Sequence, residues 1–363
     1  MIADSKLLAM LVHNGALPAE VAMQALSSGD PVAFLLRNGV CTAAQWQRWR
    51  DTEAGSRPVL SRYELGKLLG EGGVGRVFEA TDRTDGRRLA LKVLRPELAH
   101  DAAKAEPFVR EARLLMQLEH AHLVKGYRVA KEGETIFFAM ELVPGQCLQE
   151  LLDEQGRLDE ESALTIVVEV AGALDVLHAQ GLVHRDVKPG NIIWSVDRGA
   201  VLIDLGFAVA QGAADAGETT AGTVHYIAPE QARGGGLDVR ADIYALGATL
   251  YHLVTGSLPF EGKTSEEVLA KQVLESLSGE RIRALQLSPQ LQYFLEKMMA
   301  KEREIRFQNP RQLQQEIEAH LAQMRHQREL EERQQERGGA GRGGRPGARR
   351  GSLFDHRLRR RRR

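Results

Sequence analysis

His184-Arg185-Asp186-Val187-Lys188-Pro189-Gly190-Asn191 is followed, after a short strand-like stretch, by Asp204-Leu205-Gly206. In order, these residues give a carboxylate, an ammonium, an amide and a second carboxylate, the set that phosphoryl transfer from a magnesium nucleotide requires. An aspartate such as Asp186 can accept the proton of an attacking hydroxyl and hold that hydroxyl in line with phosphorus. Lys188 puts a compact positive charge where negative charge gathers. Asn191 and Asp204 offer the hard oxygen ligands that Mg²⁺ prefers. The competing reading is a polar turn between two strands, and the rest of the chain decides against it.

Upstream, Leu69-Gly70-Glu71-Gly72-Gly73-Val74-Gly75-Arg76-Val77 is a glycine-rich turn between apolar residues. Such a turn brings backbone amides to phosphates with no Cβ in the way. Alone it also fits a dinucleotide-binding turn, but Val77-Phe78-Glu79-Ala80 continues as a strand and opens no helix. Leu89-Ala90-Leu91-Lys92-Val93-Leu94 alternates as a half-buried strand whose one charge is Lys92, a costly placement unless the ammonium meets phosphate or carboxylate. Glu111 is the candidate carboxylate, in a helical pattern with apolar positions at Phe108, Leu115 and Leu118. Taken singly, Lys92 and Glu111 read as solvated surface charges. Their order and spacing reverse that reading.

On these motifs the chain, from about Tyr63 to about Leu321, resembles the catalytic domain of a bacterial eukaryotic-like (Hanks-type) Ser/Thr protein kinase. The resemblance implies a two-lobed α+β fold: an antiparallel sheet with one helix, a larger helical lobe, and ATP at the hinge. It implies Gly70, Gly72 and Gly75 as the phosphate-covering loop and Lys92 paired with Glu111. Asp186 becomes the catalytic base, with Asn191 and Asp204 as ligands of Mg²⁺, for which Mn²⁺ is the alternative. Leu69, Val77 and Ala90 would line the nucleotide site, Met140 would be the gatekeeper, and Glu141, Leu142 and Val143 the adenine hinge. Glu230 would pair with Arg306, and Asp242 would brace the catalytic loop from below.

Lys188, two residues after the base, is the Ser/Thr form of the loop, and Thr223 resembles the threonine that contacts base and lysine. Protein hydroxyls are therefore the expected substrates. Leu205 stands where the family more often has Phe, and Val74 where many bacterial members have Met; neither change removes a catalytic group. The rival reading is a catalytically silent nucleotide-binding scaffold. Between Asp204 and Glu230 lies a small-residue, glycine-rich loop with Thr219 and Thr220. A phosphothreonine there would find a partner in Arg185, so autophosphorylation is expected; the alternative is two ordinary hydroxyls in a loop.

The chain has 363 residues, 43% of them hydrophobic, which suits a globular core rather than disorder. Its two cysteines, Cys41 and Cys147, form neither a disulfide framework nor a metal cluster, as a reducing cytoplasm would suit. The longest uncharged run, Ile243 to Phe260, reaches a marginal span of about 18 residues. It carries Gly247, His252, Gly256 and Pro259 and reads as a core helix, and the apolar run Leu7 to Val12 is too short for a signal peptide. No transmembrane segment is expected.

Residues 1–54 read as a separate helical repeat module, because Leu11-Val12-His13-Asn14-Gly15 and Leu35-Leu36-Arg37-Asn38-Gly39 align at an offset of 24 residues. Pro18 is expected in a first helical turn and Thr42 as an N-cap, with Val21, Met23, Leu26, Trp46 and Trp49 as a miniature core. The Trp46 and Trp49 pair could instead serve protein docking. Residues 55–62 read as a linker, 63–143 as the smaller lobe, 144–323 as the larger lobe, and 324–363 as a charged helix end with a disordered Gly/Arg-rich tail. From Gly338 onward ten arginines face one acid, about +9, so with a total of −1 the remainder carries about −10. Such a tail is suited to polyanions, or to folding back on the acidic body; a solvated tail with no partner is the alternative. Two copies meeting through their smaller lobes during activation is a further possibility that the family brings.

Overall fold

The computed structural model describes residues 4–13, 17–43, 45–46, 49, 58–204, 209–212, 224–277 and 286–339. Thr219, Thr220 and Thr223, the Leu205 and Gly206 positions, and the arginine-rich tail lie outside them. The chain divides into two compact units, Met1–Glu106 with Arg128–Leu142, and Pro107–Tyr127 with Val143–Arg363.

In the first unit, α1 (Asp4–His13), α2 (Ala19–Ser27) and α3 (Pro31–Arg37) pack on one another around a cluster of their own, with Leu7, Leu8, Leu11, Leu35 and Trp46 at its centre. Asp30 caps α3 by accepting from Ala33 N, and Gly39 takes the left-handed conformation just beyond its end. Thr42 is an N-cap as expected, and it forms a reciprocal box with Gln45: Gln45 N donates to Thr42 Oγ1 at 3.1 Å and Thr42 N to Gln45 Oε1 at 2.8 Å. Two details differ from the sequence reading. Pro18 is the extended N-cap of α2, one residue before its first turn. Met23 and Leu26 face solvent, because the inward face of α2 is formed by Ala22 and Ala25, a third of a turn away.

The sheet of the first unit comprises β1 (Tyr63–Glu71), β2 (Gly75–Asp82), β3 (Arg88–Leu94), β4 (Gly126–Glu132) and β5 (Thr135–Glu141), in the order β1-β2-β3-β5-β4. The short helix α4 (Pro96–Ala99) and the 16-residue α5 (Ala102–Gln117) lie between β3 and β4 in sequence. The division of units falls within α5 and within β4. Tyr63, Phe78, Leu89, Leu91, Phe137 and Ala139 form the sheet's buried face. Phe108 and Leu115 are buried along α5 as their spacing predicts, and Leu118 is buried just beyond its end.

The second unit is helical with small β elements. β6 (Gln146–Cys147) leads into α6 (Leu148–Gln155) and α7 (Glu160–Ala179), which Asp159 caps through Ser162 N. β7 (Leu182–Val183), β8 (Ile192–Ser195), β9 (Gly199–Leu202) and β10 (Val209–Ala210) flank the segment from His184 to Asn191. After α8 (Pro229–Ala232) come α9 (Val239–Thr255), α10 (Ser265–Leu274), α11 (Pro289–Met298) and α12 (Pro310–Gly339). α7 packs against α9 and α12. The run examined as a membrane span therefore falls largely in α9, a helix buried almost throughout. Among the described residues, one helix is long and apolar enough to cross a membrane, and it is α7, with 61% of its apolar window buried. α7 is not an uncharged run in the sequence, because Glu160 and Glu161 occupy its first turn and Glu169 and Asp175 interrupt it.

Candidate active site

In the first unit, the β1–β2 turn is closed by Gly72 N donating to Gly75 O at 2.9 Å. Gly75 sits where a Cβ would lie 2.2 Å from Val93 O, so β2 and β3 can pair there only through a glycine; Gly70 and Gly72 have open space around theirs. The turn is also stapled from β3. Arg95 donates to Gly72 O at 3.0 Å and to Glu71 Oε1 at 2.9 Å, while its N–H reaches Val74 O. Sequence reading missed Arg95, which looks like one more surface charge until the strands are paired. Val77 lies opposite Lys92, and Ala90 opposite Met140. Lys92 is 7% exposed within a strand that is buried from Leu89 onward, and Met140 is buried with it. Glu141 ends β5, half-buried, and the exposed Leu69 lies on β1.

In the second unit, Glu111 is buried on α5, and Val143 is buried ahead of β6. The segment from His184 to Asn191 follows β7. Asp242, at the start of α9 and 1% exposed, accepts from His184 N and Arg185 N, each at 2.8 Å. This is the brace expected of it. Arg185 takes a positive φ of 73°, a conformation unfavourable for a side chain of this size and held by the bonds from its own N–H and that of His184 to Asp242. Burial pushes the Asp242 carboxyl up to about 7, against the pull of those two backbone N–H groups. Burial also pushes His184 down, so its neutral ring accepts from Asp186 N through Nδ1 at 3.2 Å.

The Asp186 carboxylate is fixed from two sides at one oxygen. Lys188 Nζ lies 2.8 Å from Oδ2, and Asn191 Nδ2 donates to the same Oδ2 at 2.8 Å and to the Asp186 carbonyl at 2.8 Å. The β8–β9 hairpin then sets the spacing of the second carboxylate. Ile192 pairs with Leu202, and Ile203 N donates to Asn191 O at 3.0 Å, which brings Asn191 beside the chain just before Asp204. Cys147, whose thiol burial keeps protonated, lies 3.4 Å from the carbonyls of Pro189 and Gly190 behind the loop. Lower down, Arg306 is fully buried and bidentate to Glu230, at 2.7 and 2.9 Å. A cavity of about 530 Å³ opens beside Lys188, walled by Gln149, Pro189, His225, Tyr226 and His252.

The hard oxygens of Asn191 and Asp204 and the open backbone at Gly70 and Gly72 fit a divalent metal and a polyphosphate. Residues 63–317 match the protein kinase domain family. The chain belongs to that family. It is 40% identical over 225 residues to the probable serine/threonine-protein kinase PknB of Corynebacterium glutamicum, covering 60% of this chain and 35% of that protein. It is 39% identical over 224 residues to serine/threonine-protein kinase PknA of Mycobacterium tuberculosis, covering 60% and 52%. With PknB of the same organism it shares 35% over 260 residues, covering 69% and 41%. The chain thus spans between a third and about half of the length of these relatives. Family membership carries ATP and divalent-metal use with it, and the antiparallel sheet and helical second unit are the two parts of its α+β fold.

Proposed function

We propose that this chain is an ATP-dependent Ser/Thr protein kinase that transfers the γ-phosphoryl group to protein hydroxyls, with Mg²⁺ as its metal. The observation that carries this reading is the Asp186 carboxylate held by Lys188 and Asn191 on a backbone braced by Asp242. In this role Asp186 takes the hydroxyl proton as the oxygen attacks phosphorus, and ADP leaves. Bound metal supplies charge neutralisation of the phosphates. Lys92 and Glu111 take the phosphate-side roles expected from sequence. Leu69, Gly70, Gly72, Gly75, Val77, Ala90, Met140, Glu141 and Val143 serve the nucleotide, and Asn191 with Asp204 the metal. Thr223 contributes to hydroxyl selection, and one or both of Thr219 and Thr220 are autophosphorylated.

The domain limits follow the sequence reading, with residues 1–54 as a docking module and the arginine-rich tail as a polyanion contact; the self-contained cluster around Leu8 and Trp46 supports residues 1–54 as a module with its own core. Labelled ATP and Mg²⁺ with the purified full chain, beside Asp186→Asn, test the function. Transfer by the wild type and a loss of roughly a thousandfold or more in the variant are expected. Nucleotide binding with no transfer would replace the kinase with a scaffold.

A further inference from the structure

A polar cluster that the transfer site does not use lies between α9, α10 and the 300–306 segment. Tyr244, on α9, donates its hydroxyl to Gln272 Oε1 at 2.6 Å. The Gln272 amide donates in turn to the backbone carbonyls of His225, at 2.7 Å, and Val224, at 3.3 Å. Gln272 is fully buried, so few other partners can satisfy it. Lys301 Nζ donates to Tyr244 Oη at 3.0 Å and to the Gln272 carbonyl at 2.8 Å. That carbonyl lies in the last turn of α10, where an ammonium complements the negative end of the helix. The same ammonium rests 4.4 Å from the Phe260 ring centroid and 5.3 Å from that of Tyr244.

This lysine is an expensive choice. Burial, with Arg306 and Arg233 nearby, pulls its pKa down to about 8, and Glu275 opposes them. An apolar side chain of similar length would avoid that desolvation. What the ammonium adds is order at Gln272, and Gln272 holds the two carbonyls that lead into Tyr226. His225 and Tyr226 wall the cavity beside Lys188.

We propose that Lys301 is a positioning residue for the protein substrate: acting through Gln272, it fixes the Val224–Tyr226 wall of the cavity next to Lys188. The substrate role rests on the kinase reading, whereas the positioning itself does not. The test compares the full-length wild type with Lys301→Met and Gln272→Leu by amide hydrogen exchange. Exchange over residues 224–228 is expected to rise about fivefold or more in both variants. Thermal stability of Lys301→Met is expected to be unchanged or higher, which a purely structural role would not give. With dephosphorylated casein as the probe substrate, KM for casein should rise roughly tenfold while KM for ATP moves less than about twofold. Lys301→Arg, which keeps the charge, should restore most of the casein affinity. Unchanged exchange at 224–228 in Lys301→Met, or in Lys301→Gln if methionine prevents folding, overturns the assignment. Absence of transfer by the wild type would count against the kinase reading alone, since the exchange comparison still decides the positioning.

Discussion

Arg306 and Glu230 form a bidentate ion pair in which the guanidinium has no solvent exposure, and the remaining guanidinium donors reach the carbonyls of Ala300, Arg240 and Lys301. The pair joins α8 to the segment before α12 from positions 76 residues apart. Removing one partner leaves the other charge buried. Glu230→Ala is therefore expected to lose about 3–5 kcal/mol of stability, read by urea unfolding, and a loss under about 1 kcal/mol would mean that water reaches Arg306.

The glycines of the β1–β2 turn separate by cause. Gly75→Ala drives a Cβ against the Val93 carbonyl, which is backbone and cannot step aside, so about 1–3 kcal/mol of stability should be lost. Gly72→Ala meets nothing within 4 Å and should unfold like the wild type, with KM for ATP raised several-fold. Equal stability of the two variants would contradict the contact at Val93.

Asp242 gives a pH signature. Its folded carboxyl is raised to about 7 from an ordinary value of 3.8. Between these values the folded chain keeps a proton that the unfolded chain has released, so this group's contribution to stability falls as pH rises from about 4 to about 7. Asp242→Asn should flatten that part of the profile. A profile unaltered by the substitution would place the titration elsewhere.

Lys301 acts in the alkaline range. Its ammonium faces Tyr244 on α9, the Gln272 carbonyl and Glu275 at the end of α10, and the cations Arg233 and Arg306. Since its folded pKa is about 8 against 10.5 when free, the unfolded chain binds the extra proton between these values. Stability from this group therefore rises with pH across that window. Lys301→Met should remove the rise, as measured by the difference in Tm between pH 7.5 and pH 10 on the scale of a few degrees.

Short spacing and residue chemistry made the loop from His184 to Asn191 legible in the sequence, whereas the Asp242 brace and the Glu230–Arg306 pair, whose partners lie 58 and 76 residues apart, were expected only from the family resemblance. Thr42 was legible as a cap for the same local reason. The orientation of α2 was not: Met23 and Leu26 are apolar, yet α2 turns Ala22 and Ala25 into the cluster around Leu8, with Val21 packed at its edge. Arg95 and Gln272 were invisible for another cause. Each acts on backbone carbonyls far along the chain, and nothing in the side chain's own neighbourhood announces which carbonyls a fold will bring to it.

Beyond Leu321, α12 continues to Gly339 with Met324 alone half-buried through Gln334, after Arg325 and Arg328 have both engaged Glu161 in the first turn of α7. From that tether onward the helix keeps phase as well as distance, at about 1.5 Å and 100° per residue. Deleting a single residue between Arg328 and Gly339 would hardly shorten it, yet would swing whatever follows by more than a quarter of a circle about the helix axis. The direction that α12 faces at Gly339 is thus encoded in the number of residues between it and the Glu161 tether.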